Sequence, residues 1–81
     1  MNESEIKSII VTLLKSVAPD SSPELLKPDD DIRQGLDMDS FDALQFIVAL
    51  DERLGVEIPE EDYGKITTLS KLLDYLKGKI K

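Results

Sequence analysis

Three stretches of this chain repeat aliphatic residues at intervals of three and four, and little else in it can build a core. Ile6, Ile9, Ile10, Leu13, Leu14 and Val17 form the first stripe, Phe41, Leu44, Ile47, Val48 and Leu54 the second, and Leu69, Leu72, Leu73, Leu76 and Ile80 the third. Residues spaced this way share one face of an α-helix, and such a face must be buried against another element. The only apolar alternation, Val56-Glu57-Ile58, is too short to stand as a strand by itself. Aromatic residues are 5% of the chain, so Leu, Ile and Val fill the interior. At 81 residues there is room for one domain with a thin core. The expected fold class is all-α: a small helical bundle of three longer helices plus one short helix, a single domain over 1–81, with a long loop between the first and second helices.

Local chemistry sets the expected boundaries. The first helix covers residues 1–17, with Ser4 as a cap, Glu3 and Glu5 at the positive end of its dipole, and Pro19 closing it. Residues 18–39 read as a loop, with Pro19, Pro23, Pro28 and Gly35 in it. Loops of that length are functional or partly structured. One helical turn is expected at Ser22-Pro23-Glu24-Leu25-Leu26, with Leu26, Ile32 and Leu36 pinning the segment to the core. The second helix spans 40–54, with Asp39 as cap, Asp42 completing a weak capping box and Gly55 as a left-handed stop. Phe46, Ala49 and Leu50 widen its apolar arc, so this helix is either largely buried or meets a partner. Pro59-Glu60-Glu61-Asp62-Tyr63 opens a short helix that Gly64 stops, and the last helix begins near Thr67 or Thr68, with Lys77, Lys79 and Lys81 at its negative end.

The net charge of -7 is unevenly placed. Residues 29–62 hold twelve carboxylates and two bases, Arg33 and Arg53, a local balance of -10, whereas residues 63–81 carry +4. Such a segment keeps a protein in solution and also attracts partners with basic patches. It repels nucleic acid. Its self-repulsion is expected to lower stability at low ionic strength. Asp29, Asp31 and Asp37 offer oxygen ligands, but an EF-hand register fails from either Asp29 or Asp30, and no metal site is expected.

The chain has no His and no Cys, which removes the commonest general base, the commonest transition-metal ligand and any thiol nucleophile. Ser40, flanked by Asp37, Asp39 and Asp42, is the one nucleophile in a suggestive setting, and a serine there is ordinarily part of a helix start. Without His it cannot belong to a Ser-His-Asp hydrolase. If it reacts, another protein activates it, so the chain is not expected to be an enzyme. No apolar run approaches the roughly 20 residues of a membrane span, MNESEIK shows no secretory leader, and a cytoplasmic monomer is expected.

The stretches Leu36-Asp37-Met38-Asp39-Ser40-Phe41-Asp42-Ala43-Leu44, Ile47-Val48-Ala49-Leu50-Asp51-Glu52, Val56-Glu57-Ile58-Pro59-Glu60-Glu61-Asp62 and Ile66-Thr67-Thr68-Leu69 together resemble the acyl carrier proteins. The detailed match covers 32–76. The resemblance implies a 4'-phosphopantetheine arm, taken from coenzyme A by a phosphopantetheinyl transferase and attached to Ser40, with Asp39 helping to position Ser40 and interacting with the transferase. The arm ends in a thiol that carries acyl groups as thioesters, which supplies the sulfur this chain lacks. It further implies that acyl transferases, ketosynthases or acyl-ligases with basic docking patches meet Asp42, Leu44, Gln45, Val48, Asp51 and Glu52 on the second helix. Phe41, Leu44, Phe46 and Val48 are expected to touch a partner or line an acyl cavity, with core packing the role of at least two of them.

Four positions depart from the family pattern. Asp37 lies where many fatty-acid carriers have Gly, Gln45 where they have an acid, Arg53 within their acidic run, and Phe41 where Leu is usual. These changes imply a specialised carrier that uses a dedicated set of enzymes and not the central fatty-acid set, while the resemblance implies a place in fatty-acid, lipid or polyketide synthesis. An aminoacyl or peptidyl carrier of the same chemistry, and an acidic interaction bundle with Ser40 unmodified, remain open alternatives.

Overall fold

The computed structural model describes residues 1–80 and, among them, contains helices and no strand. Helix α1 spans Glu3–Val17, α2 Ile32–Gly35, α3 Ser40–Leu54 and α4 Leu69–Lys79, with 3-10 helices at Pro23–Leu25 and Glu60–Lys65. The expected bundle is therefore present, and Lys81 lies outside the described residues. α1 packs against α3, α4 and the first 3-10 turn, and α4 against the second. Fifteen apolar side chains form one core. Ile6, Ile10 and Leu14 enter it from α1, Phe46, Ile47 and Leu50 from α3, and Leu69, Leu72, Leu73 and Leu76 from α4. Truncating Leu72, which is fully buried, to Ala is expected to cost about 2–5 kcal/mol, a large share of a small domain's stability.

α1 begins two residues earlier than Ser4 would allow. Asn2 accepts the Glu5 N–H at 2.8 Å while Glu5 Oε1 accepts the Asn2 N–H at 3.2 Å, a reciprocal capping box. Asn caps as well as Ser, and the acid three residues on decides between them.

The segment 18–39 is a structured strap. Pro23, Ile32, Leu36 and Met38 are buried, and Leu26 packs at the margin. Ser22 precedes the 3-10 turn but its side chain makes no capping bond. Asp31 caps α2 through the Gln34 N–H at 2.9 Å. The strap is tied to the start of α4 by Ile32 N–H to Thr67 O at 2.9 Å and Ser70 N–H to Pro28 O at 2.9 Å. Pairing backbone groups this way lets a loop lie against a core without leaving orphaned amides.

Beyond α3, Gly55 takes the left-handed conformation at φ 66 and closes the helix. Ile58, 3% exposed, anchors the extended run that follows. The second 3-10 helix continues through Gly64 to Lys65 and does not stop at Gly64 as the sequence suggests, because Gly64 is in open space with an ordinary φ and has no reason to break it. No described helix is long and apolar enough to cross a membrane.

Candidate functional site

Ser40 occupies the first position of α3 and is exposed. Asp39 sits just before the helix, and its carboxylate accepts the Asp42 N–H at 2.9 Å. The cap is one-sided. Asp42, the third residue of the helix, returns no bond to Asp39, because its side chain is one methylene shorter than the Glu of a full capping box. The N–H groups of the first helical turn have no partner within the helix, so this end carries partial positive charge beside the serine hydroxyl.

The chain reaches Ser40 through a tight reversal. Met38 N–H donates to Arg33 O at 2.8 Å, which folds the end of α2 back on itself. Asp37, in this reversal, has a positive φ of 54. Such a backbone favours Gly and is tolerated best by Asn and Asp among the other residues. The reversal carries Arg33 alongside Ser40, and Arg33 Nη2 donates to Ser40 Oγ at 3.3 Å.

Beside Ser40 a cavity of about 440 Å³ opens between α2, α3 and the second 3-10 helix. Ile32, Met38, Phe46, Ile47, Tyr63 and Ile66 give it apolar walls, while Arg33, Ser40 and Leu44 lie along its lining too. Ser40 is thus an exposed hydroxyl adjoining an apolar cavity. No His or Cys exists to activate it. Among the described residues no three acids converge to hold a metal ion. Two of the loop acids are used locally, Asp30 accepting the Lys27 N–H and Asp31 capping α2.

α3 has two apolar arcs. Phe46, Ile47 and Leu50 face the core, whereas Phe41, Leu44 and Val48 are 65%, 46% and 48% exposed. Of Phe41, Leu44, Phe46 and Val48, only Phe46 is fully buried, where two core residues were expected. Helical spacing cannot tell an inner arc from an outer one when both are apolar, and the core of this bundle takes the Phe46 side. Phe41, Leu44 and Val48 follow Ser40 on the same side of the helix, with exposed Gln45 and Glu52 beside them. Asp42 is half-buried at the edge of this face.

Asp51 is set apart from these exposed residues. It is half-buried, and its Oδ1 is enclosed without a hydrogen-bond partner. Loss of water pushes its carboxyl above the usual Asp range; the Ile58 backbone N–H opposes this, and the negative charge of Glu57 adds to it.

A polar clasp missed by the sequence reading joins the second 3-10 helix to α4. Tyr75 Oη donates to Asp62 Oδ2 at 2.6 Å, Lys65 Nζ lies 3.1 Å from Asp62 Oδ1, and Lys79 stands 5.4 Å over the Tyr75 ring. The Tyr75 bond, then the Lys65 bond, hold the Asp62 carboxyl below its ordinary range. Burial and the Asp62 carboxylate push Tyr75 up to about 12. The partners are thirteen residues apart, beyond any local pattern.

Residues 4–76 match a family described as phosphopantetheine attachment site. The chain is 35% identical over 83 aligned positions to an acyl carrier protein of Thermosynechococcus vestitus, covering 99% of this chain and 98% of that one. It is also 35% identical over 74 positions to an acyl carrier protein of Campylobacter fetus subsp. fetus, covering 91% and 90%.

Proposed function

The chain belongs to the acyl carrier protein family, whose prosthetic group is phosphopantetheine, and from that premise we propose that Ser40 is its attachment residue. The observation that carries this reading is the exposed Ser40 hydroxyl at the start of α3, beside an apolar cavity. In the attachment step the serine oxygen bonds to the phosphorus next to the pantetheine of coenzyme A. The pyrophosphate bond breaks, adenosine bisphosphate leaves, and the serine proton passes to a base on the phosphopantetheinyl transferase. Asp39 sets the serine's position by starting the helix that displays it. When bound, the arm supplies the thiol on which acyl groups ride as thioesters. This chain is a carrier and not a catalyst: it holds the arm and presents the cargo, and partner enzymes do the bond-making.

Residues 1–81 act as a single monomeric carrier domain in the cytoplasm. The apolar walls of the cavity suit an acyl chain better than a charged aminoacyl or peptidyl group, which supports fatty-acid, lipid or polyketide synthesis. Partners dock on the outer arc of α3, with Phe41, Leu44 and Val48 as the apolar contact and Asp42, Gln45 and Glu52 as the polar rim; Asp51 contributes at its margin. The transferase and the acyl transferases, ketosynthases or acyl-ligases that meet this face bring basic patches to the acidic segment.

Gln45 on that face, and Arg53 on the side of the helix towards α1, make α3 less acidic than in many fatty-acid carriers, which favours a dedicated set of enzymes. Loading by a standard fatty-acid malonyl transferase, followed by condensation with a standard ketosynthase, tests this. Poor turnover restored by Gln45→Glu with Arg53→Glu supports specialisation, and full turnover of the unaltered chain with both enzymes removes it.

A further inference from the structure

We propose that Arg33 is a binding residue for the phosphodiester of the prosthetic arm, an inference that rests on attachment at Ser40. Arg33 is one of two bases among the residues 29–62, against twelve carboxylates. Among the described residues its guanidinium is nonetheless in no ion pair, and the side-chain partner it has is Ser40 Oγ, at 3.3 Å. An arginine in so acidic a segment that turns to a neutral hydroxyl holds most of its donor capacity in reserve. That hydroxyl oxygen becomes the ester oxygen when the arm is attached, so the phosphorus is bonded to the atom Arg33 already contacts. A guanidinium offers five N–H donors in a planar fork suited to phosphate oxygens.

The charge balance shows why such a group is needed. A phosphodiester brings one negative charge to a position flanked by Asp37, Asp39 and Asp42. The start of α3 offsets part of this repulsion through its unpaired N–H groups, and Arg33 supplies the full positive charge. Its placement comes from the backbone, since Met38 N–H to Arg33 O at 2.8 Å fixes the reversal that sets residue 33 beside residue 40. Both Arg33 and Ser40 line the cavity, so a phosphate held by Arg33 keeps the root of the arm at the cavity mouth.

The test uses the full chain before and after modification by a broad-specificity transferase and coenzyme A, with intact mass confirming the adduct. Side-chain NMR of Arg33 is expected to show guanidinium N–H exchange slowed at least about tenfold on modification, as for a charge-assisted hydrogen bond. The arm's phosphorus resonance is expected to move in Arg33→Gln, to move less in Arg33→Lys, and to stay in place in Arg53→Gln, which removes the same charge at the far end of α3. An adduct whose formation leaves Arg33 exchange unchanged, or a phosphorus shift equal in the Arg33 and Arg53 variants, overturns the proposal and leaves attachment at Ser40 standing. Failure of the wild type to take any adduct overturns the attachment itself. The exchange measurement needs no variant, so a misfolded Arg33→Gln does not shelter the claim.

Discussion

The carboxylate of Asp39 accepts the backbone N–H of Asp42 at 2.9 Å, so the residue before Ser40 is also the residue that starts the helix displaying it. Asp39 therefore has a structural task and a proposed chemical one, and two substitutions separate them. Asp39→Ala removes the cap and is expected to lower stability by about 1 kcal/mol. Asp39→Asn keeps a capping oxygen and is expected to change stability by only a few tenths of a kcal/mol. If Asp39 serves only as the cap, arm transfer to Asp39→Asn proceeds at the wild-type rate. If its charge also contacts the transferase, as the family resemblance implies, transfer to Asp39→Asn slows while its urea midpoint stays near that of the wild type.

Asp37 holds a positive φ of 54 at the reversal before the site. Glycine adopts this conformation without strain, and a β-branched residue pays for it fully. Asp37→Val is expected to destabilise by about 1–2 kcal/mol. Asp37→Gly is expected to be neutral or stabilising, since it relieves both strain and one charge of the acidic segment. Thermal unfolding of the two variants checks the order; a Val variant as stable as the Gly variant contradicts the strain argument.

The Tyr75–Asp62 bond makes stability depend on pH at both extremes. The Asp62 carboxyl lies below its ordinary value of 3.8, so its contribution is present above that value and is lost as pH falls through the lower, folded one. Tyr75 is raised from 10.0 to about 12, so its contribution is complete below 10 and is lost as pH rises from there towards 12. Tyr75→Phe is expected to lower the urea midpoint at pH 7, with the gap from wild type narrowing below pH 3.8 and again above pH 10. A gap of constant size from pH 8 to pH 12 contradicts this.

Asp51 has the opposite sign. Its carboxyl is raised above 3.8 by lost hydration, so ionising it opposes folding at neutral pH. Asp51→Asn is expected to raise the melting temperature by a few degrees at pH 7 and to leave it unchanged at pH 3. The gain is expected to grow at low ionic strength, because Glu57 adds repulsion that salt screens. A gain of equal size at pH 3 means that the charge is not its source.

The three long helices were legible because their apolar stripes are long and their ends carry strong signals: Asp39 and Gly55 bound α3 where the sequence put them. The strap was less so. α2 is four residues, too few for a periodic pattern, and what fixes it is backbone pairing to Thr67, which no spacing rule registers. Ser40 was visible as an isolated hydroxyl among acids, and the resemblance gave it meaning. Arg33 was visible only as a charge, because its position beside Ser40 depends on the reversal at Asp37. The Tyr75–Asp62 clasp joins segments that nothing in the local sequence links.

Attachment of the arm at Ser40 is read without intermediary by intact mass spectrometry. The full chain and Ser40→Ala are incubated with coenzyme A and a broad-specificity phosphopantetheinyl transferase shown to be active on another carrier. A single phosphopantetheine adduct is expected on the wild type and none on Ser40→Ala; an unmodified wild type, or an adduct that persists in Ser40→Ala, rules out Ser40 as the attachment residue.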